Sequence, residues 1–155
     1  MVDTSGKAPT LRSALARAVL RFPPGVLARL LEEGGPKGPV GEVARLAGIA
    51  AAKRVDELIP LCHALALDHV EVRLEPLDGE LLQVSCSARA VARTGVEMEA
   101  MVGAATAALA VYDMSKALDK GIVVERVELL EKAGGRSGPW RKEAAARPGA
   151  KARRS

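Results

Sequence analysis

The stretch Thr10-Leu11-Arg12-Ser13-Ala14-Leu15-Ala16-Arg17-Ala18-Val19-Leu20-Arg21-Phe22 decides the architecture, because it reads in two ways. Leu11, Leu15, Val19 and Phe22 recur at helical spacing, whereas Ala14, Ala16, Ala18, Leu20 and Phe22 alternate as one face of a strand does. Pro23-Pro24 ends the segment under either reading, since proline removes a backbone donor and restricts the residue before it.

Working outward, residues 1–9 read as a flexible lead-in. A short helix over 25–33 carries Val26, Leu27, Leu30 and Leu31, and the Gly- and Pro-rich residues 34–39 form a loop. A longer helix is predicted over 40–59, with a stripe of Val43, Leu46, Ala47, Ala50, Ala51 and Leu58. Pro60 ends it, and Leu61-Cys62-His63 follows as a loop. Val70, Val72 and Leu74 alternate with Glu71, Arg73 and Glu75, Asp78-Gly79 supplies a turn, and residues 81–93 return. A long Ala-rich helix is predicted over 95–119 with Gly121 as its cap, then a strand over 122–130. If residues 10–22 are a strand, the order is strand, helices, strand, strand, helix, strand. That is the split βαβ order of an α+β, ferredoxin-like fold, a four-stranded antiparallel sheet packed on two long helices. Residues 1–138 make one domain, and 139–155 read as a basic, disordered tail.

Composition narrows the classes of function. With 48% hydrophobic and 27% charged residues, the 155-residue chain has the balance of a soluble protein with one core. No apolar run approaches the ~20 residues that cross a bilayer, and the N-terminus does not resemble a signal peptide, so the expected location is the cytoplasm, with no membrane partner. The two cysteines, Cys62 and Cys86, are too few for a disulfide framework or a zinc cluster. The net charge of +4 permits an anionic partner without choosing one. One Phe, one Tyr and one Trp leave little for stacking bases, which argues against a nucleic-acid reader.

Four clusters could carry chemistry: Lys53-Arg54 ahead of Leu58-Ile59-Pro60-Leu61-Cys62-His63; Thr94-Gly95-Val96-Glu97-Met98-Glu99; Tyr112-Asp113-Met114-Ser115-Lys116; and Lys132-Ala133-Gly134-Gly135-Arg136-Ser137-Gly138. Each has an ordinary structural explanation. A lone histidine after a proline is more often a loop hydrogen-bonder than a catalyst. Acidic residues in a first helical turn suit the helix dipole. An Asp–Lys pair three residues apart is usually a surface ion pair worth ~0.2–0.5 kcal/mol. A Gly-rich basic loop can cradle phosphate through its N–H groups, but this one lacks Walker spacing.

Together, however, the strings Lys53-Arg54…Leu58-Ile59-Pro60-Leu61-Cys62-His63, Thr94-Gly95-Val96-Glu97-Met98-Glu99-Ala100 and Tyr112-Asp113-Met114-Ser115-Lys116-Ala117 resemble the signature of the MoaC family. So do Met1-Val2-Asp3-Thr4-Ser5 and Gly134-Gly135-Arg136-Ser137-Gly138, and the resemblance covers residues 1–138. The departures are small: Pro39 after Lys37-Gly38 where an acidic residue is common, Ala64 after His63 where proline is usual, and Arg136 where lysine is common.

The resemblance implies a ferredoxin-like phosphorus–oxygen lyase of molybdenum cofactor biosynthesis. Its substrate would be the cyclised GTP intermediate 3′,8-cyclo-7,8-dihydro-GTP, and its products cyclic pyranopterin monophosphate and pyrophosphate. Asp113 and Lys116 would be the central acid–base pair, with the lysine pKa lowered toward neutrality by neighbouring cations. Leu61, Cys62, His63, Glu97, Met98 and Glu99 would bind the substrate, and Lys37, Lys53, Arg54, Lys132 and Arg136 its phosphates. No cofactor is implied, although magnesium could accompany the triphosphate. The assembly implied is a homo-hexamer, a trimer of dimers, with sites at the dimer interface. Spacing alone points the same way, since Glu99 and Asp113 on one helix are about 21 Å apart and could share a small ligand only across two chains. Two other classes compete: a small-molecule-binding regulatory domain of the same fold, and an RNA-binding domain favoured by the basic tail.

Overall fold

Residues 10–22 resolve in favour of the alternating pattern. In the computed structural model, which describes residues 1–143, Thr10–Arg21 is strand β1. Ala14, Ala16, Ala18 and Leu20 are buried along one face, and Phe22 continues that row beyond the strand end. Leu11, the first residue of the alternative helical stripe, is 64% exposed. Alanine favours helix in isolation. Tertiary context overrides it here, because β1 is central in the sheet, with backbone partners on both sides, β3 (Leu81–Ala92) and β4 (Val123–Ala133).

The sheet is antiparallel throughout, in the order β2-β3-β1-β4-β5, with β2 at His69–Pro76 and β5 at Trp140–Arg141. The first four strands give the ferredoxin-like arrangement expected. The fifth corrects the four-stranded expectation: Trp140 and Arg141, assigned to a disordered tail, pair with Lys132 and Glu131 of β4. The rest of the predicted tail, residues 144–155, lies outside the described residues. The β2–β3 turn forms at Asp78 as expected. Its Oδ1 accepts the N–H groups of Glu80 and Leu81 at 2.8 and 2.7 Å, an Asx turn that leaves Gly79 outside the left-handed region.

Helices α1 (Val26–Glu33), α2 (Val40–Ala52), α3 (Val55–Leu58) and α4 (Glu97–Ser115) are the other elements among the described residues. The helix predicted over 40–59 is broken: Lys53 and Arg54 stay in water at the break, while Ala52 and Val55 on either side turn inward. The predicted 95–119 helix stops at Ser115, and Gly121 does not cap it. The Gly121 N–H instead donates to Asp119 Oδ1 at 2.6 Å. The last strand runs three residues past its predicted end, to Ala133.

Small side chains determine how the two long helices sit. Ala100, Ala104, Ala107 and Ala108 of α4 are fully buried, as are Ala88 and Ala90 of β3. A Cβ on Gly103 would lie 2.5 Å from Cys86 Sγ, and one on Gly48 would lie 2.8 Å from the Gly103 carbonyl oxygen. Sheet, α4 and α2 thus meet where no side chain fits, and the close approach maximises dispersion contact between backbones. The helices are antiparallel, since Ala52 packs near Gly103 while Val40 packs near Met114.

Gly103→Ala is expected to cost about 1–3 kcal/mol through overpacking. In urea unfolding the cost should shrink when Cys86→Ala is added, because the sulfur is the atom in the way. A strictly additive double mutant would contradict this packing.

Candidate active site

The predicted site residues other than Lys53 and Arg54 gather at the two ends of α4. At its C-terminal end, Lys37 sits in a turn closed by the Gly38 N–H donating to the Gly35 carbonyl at 3.0 Å. Pro39, in extended backbone as the N-cap of α2, does not prevent this turn. The Lys37 ammonium donates to Asp113 Oδ2 at 2.8 Å, and Lys116, one turn further along the helix, approaches Oδ1 at 2.7 Å. Held first by Lys116 and then by Lys37, the exposed Asp113 carboxyl falls to about 2. A depressed carboxyl keeps its charge, and its pairing, above the ordinary 3.8 and loses them only as the pH falls toward 2. The effect on Lys116 corrects the sequence expectation. Its closest charge is the Asp113 carboxylate rather than another cation, so its pKa is raised and the ammonium form is held.

At the N-terminal end of α4, the loop after Pro60 closes over the helix start. Leu61, Cys62 and His63 line a cavity of about 200 Å³ with Val2, Leu65, Thr94, Gly95, Met98 and Glu99. Glu99 is only 4% exposed. Burial raises its pKa, a backbone hydrogen bond opposes this, and the charges of Glu97 and Asp56 reinforce it. Burial likewise raises the Cys62 thiol, helped by Glu99. Burial at this end thus shifts Glu99 and Cys62 toward their neutral forms, whereas the other end holds a fully formed charge triad.

Beside it lies a larger pocket of about 580 Å³ carrying Lys7, Arg12, Arg93, Lys132 and Arg136, with Glu97 as its carboxylate. Lys132 Nζ stands 3.7 Å from Glu97 Oε1 and donates to Ser137 Oγ at 2.7 Å. Gly134 and Gly135 have φ of +96° and +79°, and the Arg12 side chain runs beneath them. A Cβ on Gly134 would meet the Leu11 carbonyl oxygen at 2.1 Å, so both the conformation and the space require glycine. Five cations around one concave wall make an anion site.

The structure thus brings together Leu61, Cys62, His63, Met98 and Glu99 in one cavity, and Glu97, Lys132 and Arg136 in the next. Lys53 and Arg54 are exposed at the α2–α3 break and line neither cavity. Lys37, Asp113 and Lys116 stand at the opposite end of α4, as the helical rise requires. Sequence reading missed Val2, Lys7, Arg12 and Arg93. Arg93 adjoins the Thr94-Gly95 string and was within reach. Arg12 was not, because only sheet pairing places it under a loop more than a hundred residues away. Among the described residues, no three His, Cys, Asp or Glu side chains group as a metal site, and no helix is long and apolar enough to cross a membrane.

Two predictions follow from these charges. Asp113→Asn should speed acylation of Lys116 by an amine-reactive reagent near pH 9, read by peptide mass spectrometry, because the carboxylate holding the proton is gone; an unchanged rate would count against the pairing. A buried acid with a raised pKa binds more protons folded than unfolded, so stability falls as pH rises between the two values. Glu99→Gln should therefore stabilise the protein at pH 7 by about 0.5–2 kcal/mol. That gain should fade as the pH drops through 4.5, the ordinary Glu value; an equal gain at pH 7 and pH 4 would point to packing instead.

Comparison with known proteins adds the family. The MoaC family model matches residues 1–135. The cyclic pyranopterin monophosphate synthase of Geotalea uraniireducens (strain Rf4) is 57% identical over 145 residues, covering 92% of this chain and 90% of that protein. Proteins of the same name from Geobacter metallireducens and Geobacter sulfurreducens are 54% and 51% identical, with the same coverage of both chains. A match of this extent, over residues that include both ends of α4, shows that the chain belongs to the MoaC family.

Proposed function

We propose that this protein is an enzyme of molybdenum cofactor biosynthesis that converts 3′,8-cyclo-7,8-dihydro-GTP to cyclic pyranopterin monophosphate and pyrophosphate. The observation that carries this reading is the identity of 51–57% to proteins named cyclic pyranopterin monophosphate synthase, over about nine-tenths of their length and its own. The geometry supplies residue types suited to the steps. Rearranging the purine requires proton transfers. Forming the cyclic phosphate requires a sugar hydroxyl to attack the α-phosphorus and lose its proton, while pyrophosphate departs with the electrons of the broken P–O bond. The cationic pocket of Lys7, Arg12, Arg93, Lys132 and Arg136 suits the phosphates. The neighbouring cavity, with Glu99, Met98, Cys62 and His63, suits the base, and the carboxylates of Glu97 and Glu99 match guanine-like N–H donors.

Asp113 and Lys116 are the catalytic residues in this reading. With Lys116 held as an ammonium by Asp113, the pair is set to donate a proton first and to accept one only after that proton has left. His63 is the residue type suited to shuttling the proton between substrate and solvent. Lys37 completes the triad from the turn before α2, and Lys53 and Arg54 would meet phosphate from their exposed break only if a second chain approached there. No redox cofactor is called for, and a magnesium ion would enter with the triphosphate it neutralises. The cytoplasm, where GTP-derived intermediates are made, is the expected setting.

The active unit in this reading is a homo-oligomer, a hexamer built as a trimer of dimers. Each site joins Asp113, Lys116 and Lys37 of one chain to the Glu99 cavity and cationic pocket of another. One α4 holds the two groups about 21 Å apart, too far for one nucleotide-sized substrate.

Turnover of the cyclised GTP intermediate, followed by pyrophosphate release and appearance of the pterin, tests the reaction; binding without conversion would favour the regulatory-domain reading. Asp113→Asn and Lys116→Ala should each lower kcat at least about a hundredfold, the scale of a lost acid–base group. Shared sites make a further demand. Co-assembled Asp113→Asn and Glu99→Gln chains should regain about a quarter of wild-type activity, because half the dimers are then mixed and each has one intact site. No recovery on mixing would place each site within one chain.

A further inference from the structure

The Gly-rich wall of the cationic pocket is the turn of the β4–β5 hairpin. Gly134, Gly135, Arg136 and Ser137 line the pocket, and β5 leaves at once through Trp140 and Arg141, opposite Lys132 and Glu131. Beyond this pairing, three contacts hold Arg141 and the following Lys142 against β4. The Lys142 N–H donates to the Leu130 carbonyl at 2.8 Å, Arg141 pairs with Glu131 at 2.9 Å, and the Lys142 ammonium pairs with Glu128. Arg141 is 80% exposed and its pair is weak. Glu128 is different: it is half-buried, takes Arg17 Nε of β1 at 2.7 Å and Arg126 Nε of β4 at 3.3 Å, and its carboxyl is lowered to about 2, first by Lys142. Lys142 therefore ties β5 to a carboxylate anchored in the centre of the sheet.

Within the loop itself, the Gly138 N–H donates to the Gly135 carbonyl at 3.3 Å and the Lys132 ammonium to Ser137 Oγ at 2.7 Å, both contacts local to the hairpin. Gly134, Gly135 and Gly138 all have left-handed φ, so the segment would be free to move if one stem were released. The same register that sets Lys132 opposite Trp140 brings Ser137 to the Lys132 ammonium and lays Gly135 over Arg12. A loop already ordered loses less entropy when an anion binds it.

We propose that β5 is a clasp that pre-forms the oligophosphate subsite, with Lys142 as a positioning residue acting through Glu128. The proposal rests on the reading that the cationic pocket receives the phosphate end of the substrate. The clasp sets affinity for a linear oligophosphate and leaves the proton-transfer chemistry alone, so it bears on KM rather than kcat.

The test uses the full-length enzyme and its Lys142→Glu, Lys142→Arg and Arg12→Ala variants. Readouts are KM and kcat for the cyclised GTP intermediate, Kd for inorganic tripolyphosphate from the fluorescence of Trp140, the single tryptophan, and the thermal midpoint. Lys142→Glu is expected to raise KM and Kd about tenfold, the scale of one charge-assisted hydrogen bond, with kcat within about twofold. Lys142→Arg should restore both. Unchanged KM and Kd in Lys142→Glu, with a weakened Arg12→Ala, overturns the clasp and leaves the phosphate pocket standing. A parallel fall in kcat and thermal midpoint overturns it as well, by making β5 merely structural. If Arg12→Ala also binds tripolyphosphate normally, the phosphate reading of the pocket fails and the clasp falls with it.

Discussion

The close approach of α4 to the sheet and to α2 is the constraint on which the rest of the molecule depends. Gly103 lies against Cys86, and Gly48 against the Gly103 backbone, with alanines continuing the seam along α4 and β3. Large side chains there would lift the helix from the sheet and separate the loops that converge on its two ends. The near absence of aromatic residues belongs to the same design: one Phe, one Tyr and one Trp leave a core of Ala, Val and Leu, which packs thin layers closely.

A rigid α4 of 19 residues then acts as a spacer. Its first turn presents Met98 and Glu99 to the loop after Pro60 and Glu97 to the cationic pocket beside it, and its C-terminal end presents Asp113 with Lys116 to the Lys37 turn. The two ends differ in electrostatic character because they differ in burial. Glu99, withdrawn from water, is pushed toward its neutral form. Asp113, exposed and flanked by two ammonium groups, is held ionised.

The polar, helix-free face of the sheet has its own organisation. Arg17, Arg126, Glu128 and Lys142 form a connected set across β1, β4 and the start of the C-terminal segment. Exposed ion pairs of this kind add little stability singly. Centred on one half-buried carboxylate, they join the segment after β5 to the middle of the sheet.

Much was legible in the sequence, for local reasons. The hairpin around Asp78 was visible because alternation and turn chemistry act over a few neighbouring residues. The Ala-rich helix and the strings that mark the MoaC family could be read directly, and the helical rise alone separated Glu99 from Asp113. Other features depended on partners distant in sequence. Residues 10–22 carried helical and strand patterns together, and became a strand because both edges are hydrogen-bonded, to β3 and β4. The break at Lys53-Arg54, the early end of α4 and the pairing of Trp140-Arg141 were set by packing that local propensity does not encode. The pKa of Lys116 shifts upward rather than downward as expected, because the charge it pairs with is the Asp113 carboxylate. Sequence by itself thus determined which elements and which chemical groups the protein has, since these follow from local spacing. Only the tertiary structure decided which groups meet, because burial, pKa and the recruitment of Arg12 and Arg93 arise from contacts between segments that the chain brings together on folding.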